Sequence, residues 1–298
     1  MSSAVLDGVR DLRLHRPDGR TVAWTEWGPD DGVPLLRVPG TPGSRFGLRA
    51  DRSLWAARRI RAITTERPGF GASSRLPGRG FNEHADDLAA LLDTVGVDRV
   101  HVIGGSGSSP HQLAFAARHP DRVRAMTILV GAAPETEEEY AQLVGVNQEA
   151  HRLVASGDID GLHEFLAGLR KEIVADPLGA FLSIMDTAPE ADREVMSDPK
   201  WQESFVIAMS EAMAQGVEGW ADESIALENR WDDIDLDAVR TSVTWWHAAS
   251  DANTSFTAAK RLVASLPDAR MELFPEHEGH MAGYHREAEI LEELLARG

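Results

Sequence analysis

The chain has 298 residues, 43% of them hydrophobic, which is enough to fill a sizeable core and excludes a disordered chain. Its formal net charge of −18 argues against nucleic acid or an anionic membrane surface as a partner. With no cysteine, disulfides, thiolate metal sites and a cysteine nucleophile are excluded as well.

From the N-terminus, "MSSAVLDGVRDLRLHRPDGR" carries charges where a signal peptide needs an apolar core. No apolar run approaches the length that spans a bilayer. The expectation is a cytoplasmic protein acting on a small-molecule substrate, with no nucleic-acid or membrane partner. "VRDLRLHR" and "TVAWTEWG" alternate around "PDGR" and predict an edge hairpin. "VPLLRV" (33–38) is a short apolar run that stops at "PGTPGS", and "IRAITTE" (60–66) is a second buried strand closed by "RPGFG". "NEHADDLAALLDTVG" has helical periodicity and a terminal glycine. Strand "RVHVIGG", helix "PHQLAFAARHP" and strand "RAMTILVG" follow.

This rhythm predicts an α/β fold, a mostly parallel sheet flanked by helices. It breaks over 134–236, which reads as several helices with no strand, and resumes with "SVTWWHA", "SFTAAKRLVASL", "RMELFPE" and "HREAEILEELLARG". Residues 1–133 and 237–298 are therefore expected to form the core, and 134–236 an inserted helical lid over the sheet's carboxyl edge. The acidic run "ETEEEY" (135–140) reads as a solvated helix face.

The chemistry concentrates in Gly104-Gly105-Ser106-Gly107-Ser108, between a buried strand and a helix. A phosphate loop needs a lysine followed by Ser or Thr, and none of the three lysines is near. A dinucleotide fingerprint fails because its third glycine would be Pro110. A nucleophile elbow needs small residues around a strained turn, and this stretch supplies them, with a helix N-terminus behind the serine. A serine hydroxyl also needs a histidine base and an orienting carboxylate. Asp251 follows "SVTWWHA" and His280 follows "RMELF", so nucleophile, acid and base fall in order just after strands. That coincidence selects catalysis over a turn that only packs.

Other candidates carry less. "HEGH" (277–280) lacks a zinc spacing, so no metal and no cofactor are implied. His277 is a rival base closer to the strand end, and His285 is placed on the last helix. Asp233, Asp235 and Asp237 lack the later residues of a calcium loop and read as a solvated loop. Asp251 could instead cap the following helix. Trp245 and Trp246 are adjacent and point to opposite faces of a strand. Trp201, Phe205, Met209 and Met213 recur at helical spacing. Singly they read as packing; with Phe181, Met185, Trp220 and Trp231 they suggest an apolar chamber above Ser106 and a moderately hydrophobic substrate.

Over essentially its full length the chain resembles the α/β-hydrolase family, in its lidded esterase branch. "PGTPGSR" is similar to the oxyanion loop HG-x-P-G, "ERPGFGAS" to D-R-P-G-x-G-x-S and "GGSGSS" to G-x-S-x-G. "WHAASD" is similar to H-G-x-x-D and "EGHM" to the terminal G-H motif. The resemblance implies Ser106 as nucleophile, Asp251 as acid and His280 as base, with the backbone N–H groups of Thr41 and Gly107 as oxyanion hole. It implies a serine hydrolase that cleaves a small, moderately hydrophobic ester through an acyl-enzyme. A cofactor-free lyase or cyclase on the same triad, and a ligand receptor on this scaffold, are the alternatives. Four positions depart from the family pattern: Pro39 for His, Glu66 for Asp, Ser108 for Gly and Ala248 for Gly. Ser108 is expected to bring a hydroxyl close to the nucleophile.

Overall fold

The computed structural model describes residues 4–49 and 51–297. The alternating N-terminal segments form the hairpin, Arg10–His15 (β1) against Thr21–Trp27 (β2), antiparallel with Leu12 opposite Trp24. Six further strands follow: Val33–Val38 (β3), Ile60–Thr65 (β4), Val100–Gly105 (β5), Val123–Leu129 (β6), Val243–His247 (β7) and Ala269–Leu273 (β8). They make one sheet in the order β1-β2-β4-β3-β5-β6-β7-β8. Only β2 runs against the rest.

Both faces of the sheet are covered, which is why its central strands are apolar almost throughout. Asn82–Thr94 (α2), Ser109–Arg118 (α3) and Phe256–Ser265 (α11) pack on one face, in a cluster with Leu88, Leu113, Leu262 and Trp245 at its centre. Ser53–Ala57 (α1) and Glu287–Leu295 (α12) cover the other face through Trp55, Leu291 and Leu294. Sequence periodicity missed α1, because five residues are too few to display it. Trp245 and Trp246 do part to opposite faces, into separate clusters.

Strand order reverses at β3, which lies between β4 and β5, and ligands of open α/β sheets bind where that happens. Val38 is in register with Gly104, so Pro39-Gly40-Thr41 leaves the sheet beside Gly105-Ser106-Gly107. Residues 134–236 contain seven α-helices: Glu137–Tyr140 (α4), Gly145–Ala155 (α5), Ile159–Ala175 (α6), Pro177–Ile184 (α7), Glu190–Ser197 (α8), Pro199–Ala212 (α9) and Glu218–Asn229 (α10). Part of the acidic composition goes into capping them. Asp158, Asp176 and Asp198 accept backbone N–H groups at the starts of α6, α7 and α9. No helix among the described residues is long and apolar enough to cross a membrane.

The helical block has its own core around Leu162, Leu166, Met213 and Ala221, which Phe70 of the loop after β4 enters. It is also tied down electrostatically. Glu223 of α10, fully buried, takes Arg79 through Oε2; its Oε1 accepts from His111 Nε2 at 3.0 Å and from the Thr41 hydroxyl at 3.0 Å, with Arg67 Nε 3.1 Å away. Burial opposes this carboxylate, but Arg67, His111 and Arg79 hold it well below the ordinary glutamate range. Burial lowers His111 to about 4, so it is neutral and donates from Nε2. Its Nδ1 then accepts from His84 Nδ1, 3.1 Å away. Removing one partner of a buried ion pair costs about 3–5 kcal/mol, because it strands the other charges. Glu223→Gln is therefore expected to destabilise the protein by about 3 kcal/mol in urea unfolding. A loss below about 1 kcal/mol would show that the cluster does not bind block to sheet.

Candidate active site

The turn after β5 is the most constrained part of the chain. Ser106 has φ 56°, in the left-handed region that side-chain-bearing residues rarely adopt. The turn is held by Ser106 N–H donating to Val130 O at 3.2 Å and by Ala132 N–H donating to Ser106 O at 3.1 Å. Its neighbours have no room for side chains. A Cβ on Gly104 would lie 2.4 Å from Val38 O, and one on Gly107 would lie 2.4 Å from Thr41 Oγ1. The second contact puts residues 41 and 107 face to face beside Ser106.

Asp251 and His280 meet although 29 positions separate them. His280 Nδ1–H donates to Asp251 Oδ2 at 2.8 Å, and Asp251 Oδ1 accepts Asn253 N–H at 2.7 Å. The Asp251 side chain is fully buried. Burial works against its charge, yet His280 beside it keeps its pKa below the ordinary aspartate value. Burial likewise opposes a charged His280, but Asp251 outweighs it and the imidazole titrates above 6.5. With Nδ1 as donor, Nε2 is free to accept a proton. Ser106 and His280 line one cavity of about 410 Å³; no hydrogen bond joins them among the described residues. Such bonds are commonly loose before substrate binds. The cap of α11 is Ser255, so Asp251 is not drawn into that role.

The helical block reaches this site too. Asp192 of α8 accepts the backbone N–H groups of Gly279 at 2.9 Å and Met281 at 3.1 Å, gripping the loop on both sides of His280. Arg67 donates to the carbonyls of Pro39 and Gly40 and, at 2.9 Å, to the Thr41 hydroxyl. None of these roles shows in local sequence. Asp192 and Glu223 sit among many helical acids, and only their burial, both at 0%, marks them out. Arg67 had a weak signal in "RPGFG".

Of the expected apolar chamber, Trp201, Phe205, Met209 and Trp220 line the cavity, as do Phe181 and Trp231. Met213 does not; it faces the block's own core. Met185 packs with Trp201 and Met281 and also lies outside the main cavity wall. The reading of "ETEEEY" as solvated fails at both ends, where Glu135 and Tyr140 line the cavity. Burial lifts the Glu135 carboxyl to about 7. Tyr140 Oη–H donates to Glu228 Oε1 at 2.6 Å, and Glu228 Oε2 lies 2.8 Å from His151 Nδ1.

Two further expectations are corrected, for Ser108 and His285, and the departure at Glu66 has a structural role. Ser108 does not present its hydroxyl to the nucleophile: it donates to Gly105 O at 2.8 Å and accepts from Gln112 Nε2 at 3.0 Å. Glu66 is absent from the cavity wall; it accepts Ala72 N–H at 2.7 Å and pairs with Arg45, closing the loop after β4. His285 precedes α12 instead of lying on it, because the chain first makes a tight turn at Ala282–Tyr284. Pro39 does line the cavity, Ala248 is buried against Trp246, and His277 is exposed. Asp233, Asp235 and Asp237 are exposed as expected, and no cluster among the described residues could hold a metal ion.

Residues 34–285 match the family model described as alpha/beta hydrolase fold. The chain is similar to a 2-hydroxymuconate semialdehyde hydrolase of Pseudomonas putida, 25% identical over 272 residues, covering 89% of this chain and 88% of that protein. It is similar to a bifunctional esterase/perhydrolase of Acinetobacter calcoaceticus, 27% identical over 118 residues, or 39% of this chain and 43% of that protein. Of the first curated relatives it matches, the chain thus spans less than half the length, 31% and 43%. A solved thermophilic esterase from Thermogutta terrifontis shares the fold at a TM-score of 0.67 and 20% identity, covering 96% of this chain and 98% of that one. The matched span takes in the switch-point loops, the Ser106 turn and the His280 loop, and the chain belongs to the α/β-hydrolase family.

Proposed function

We propose that the protein is a serine hydrolase of a small carboxylic ester, with Ser106, His280 and Asp251 as its catalytic triad. The observation that carries this is a strained, left-handed Ser106 in the same cavity as a histidine whose Nδ1–H is committed to a buried carboxylate. In this reading His280 Nε2 takes the Ser106 proton as Oγ attacks the carbonyl carbon. The imidazolium then gives that proton to the leaving alcohol, and an acyl-Ser106 remains. Water, deprotonated by His280, attacks the acyl carbon and releases the acid, restoring the serine. Asp251 keeps Nδ1 protonated and stabilises the imidazolium.

The negative oxygen of the tetrahedral intermediate needs donors already in place. Arg67 draws the Gly40 carbonyl to itself at 2.7 Å, and a planar trans peptide then sends the Thr41 N–H the opposite way. That orientation supports Thr41 N–H, with Gly107 N–H across from it, as the oxyanion hole. The helical block is the lid in this proposal, supplying Trp201, Phe205, Met209 and Trp220 as apolar walls for the substrate. Thr41, held by Glu223 from α10, links lid and oxyanion loop.

A fluorophosphonate probe is expected to add once, at Ser106, as read by intact mass and peptide mapping. Ser106→Ala should carry no adduct and hydrolyse no ester; full activity in that variant would overturn the assignment. No adduct on the folded wild type would favour a ligand receptor on the same scaffold. The acid limb of kcat/KM should have its midpoint above pH 6.5, because His280 serves as base only when neutral and its pKa is raised. Asp251→Asn should lower kcat by about 10⁴-fold and move that limb to lower pH, since the carboxylate that raises His280 is gone. An unmoved limb would mean that another group controls it.

A further inference from the structure

The cavity around Ser106 is charged with opposite sign in two places. Beneath α4, α5 and α10 its wall carries Glu135 and Glu228, with Tyr140 donating to Glu228, and no arginine or lysine among the described residues. The other region lies toward the sheet face covered by α1 and α12. Arg37 enters it from β3, where it is in register with Ile103, and Arg49 enters it from the following loop. Arg49 Nε pairs with Glu287 Oε1 at 2.8 Å, and its guanidinium lies 3.7 Å from the centre of the Tyr284 ring.

These two arginines are under-compensated. Arg49 is only 8% exposed, and its Nη1 is buried without a hydrogen-bond partner among the described residues. Arg37 donates to the Gly47 carbonyl and neighbours the Tyr284 hydroxyl, with no ion pair among the described residues. Glu287 is the one carboxylate in this part of the wall, and it is shared between Arg49 and Trp55 Nε1, which donates at 2.9 Å. Asp51, Glu194 and Asp198 border the outer side of the arginine pair, but they are exposed to solvent, which screens them. A buried and a half-buried cation against one carboxylate leave a net positive charge in this part of the cavity wall, with one buried guanidinium donor unsatisfied among the described residues. Such groups are costly unless an anion completes them.

We infer that the substrate carries a carboxylate that seats against Arg49 and Arg37, with its scissile ester carbonyl at Ser106. The ester half of this statement rests on the serine-hydrolase reading; the carboxylate half does not. The substrate class is then the monoester of a medium-chain dicarboxylic acid: carboxylate in the arginine region, chain along the apolar wall. The opposite side, which carries Glu135 and Glu228 and no arginine or lysine among the described residues, offers that carboxylate no cation, and this sets the orientation. Hydrolysis releases the alcohol and the dicarboxylate.

Two measurements test it. In the first, kcat/KM is compared for monomethyl adipate and methyl hexanoate, and for monomethyl suberate and methyl octanoate. The acid monoesters should be preferred, and Arg49→Met should lower that preference about tenfold or more, the worth of a charge-assisted hydrogen bond. Arg49→Lys, which keeps the charge without the fork, should restore part of it. In the second, adipate and suberate binding to Ser106→Ala is measured by calorimetry; binding should be detectable and should weaken at least tenfold when Arg49→Met is added. Should Arg49→Met not fold, Arg37→Met and Arg49→Lys take its place in both assays. No preference for the acid monoesters in the wild type together with no diacid binding overturns the inference, as does a preference indifferent to all three arginine variants. A missing fluorophosphonate adduct alongside arginine-dependent diacid binding would overturn the hydrolase reading and leave the carboxylate subsite standing.

Discussion

One backbone constraint organises this molecule: a parallel strand must end and a helix must begin within a turn so tight that a serine is forced to φ 56°. The strain of such a conformation persists only where the surroundings over-determine it. Here they do so from three sides. Val130 and Ala132 hold the serine's own peptide groups, Val38 O presses on Gly104, and Thr41 presses on Gly107. The small residues around Ser106 are thus consequences of the close approach of β3, β5 and β6. Their reward is a hydroxyl lifted clear of the sheet, with a helix N-terminus behind it.

The inserted helices are part of that arrangement. They bury apolar surface of their own, but the groups that fasten them are charged: Glu223 beneath the loop at 39–41, and Asp192 around the loop at 279–281. Each grips the backbone or side chains of a segment bordering Ser106. Buried charges of this kind are poor sources of net stability compared with an apolar packing of equal volume. What they provide is geometry, since a carboxylate accepting from two or three fixed donors permits only one placement of the loops that carry them. The positions of Thr41 and His280 are therefore set jointly by the sheet and by helices that each lie more than 80 residues in sequence from the loop they grip.

The electrostatics also separate a global property from a local one. A chain at −18 repels polyanions at long range, and salt screens that repulsion within about 10 Å. Inside the cavity the balance is decided by which side chains lack partners. Arg37 and Arg49 there outnumber the single Glu287, while Glu135 and Glu228 occupy the opposite region. Net charge says nothing of this division.

The sequence by itself determined what depends on near neighbours: the strand and helix periods, the uninterrupted helical character of 134–236, and the Gly-Ser turn whose tightness allows only small residues. It also placed Asp251 and His280 just past strand ends, because strand order and the shared carboxyl edge follow from the β-α rhythm. Tertiary structure alone decided the rest. The five-residue α1 was too short to show a period, and the Ser108 hydroxyl turned inward to Gly105 and Gln112. Glu135 left an acidic run to line the cavity, and Glu223, Asp192, Arg37 and Arg49 acquired meaning only through partners far along the chain. The physical reason is the same in each case. Periodicity and turn chemistry are written in adjacent residues, whereas a buried charge is defined by the groups that packing brings against it.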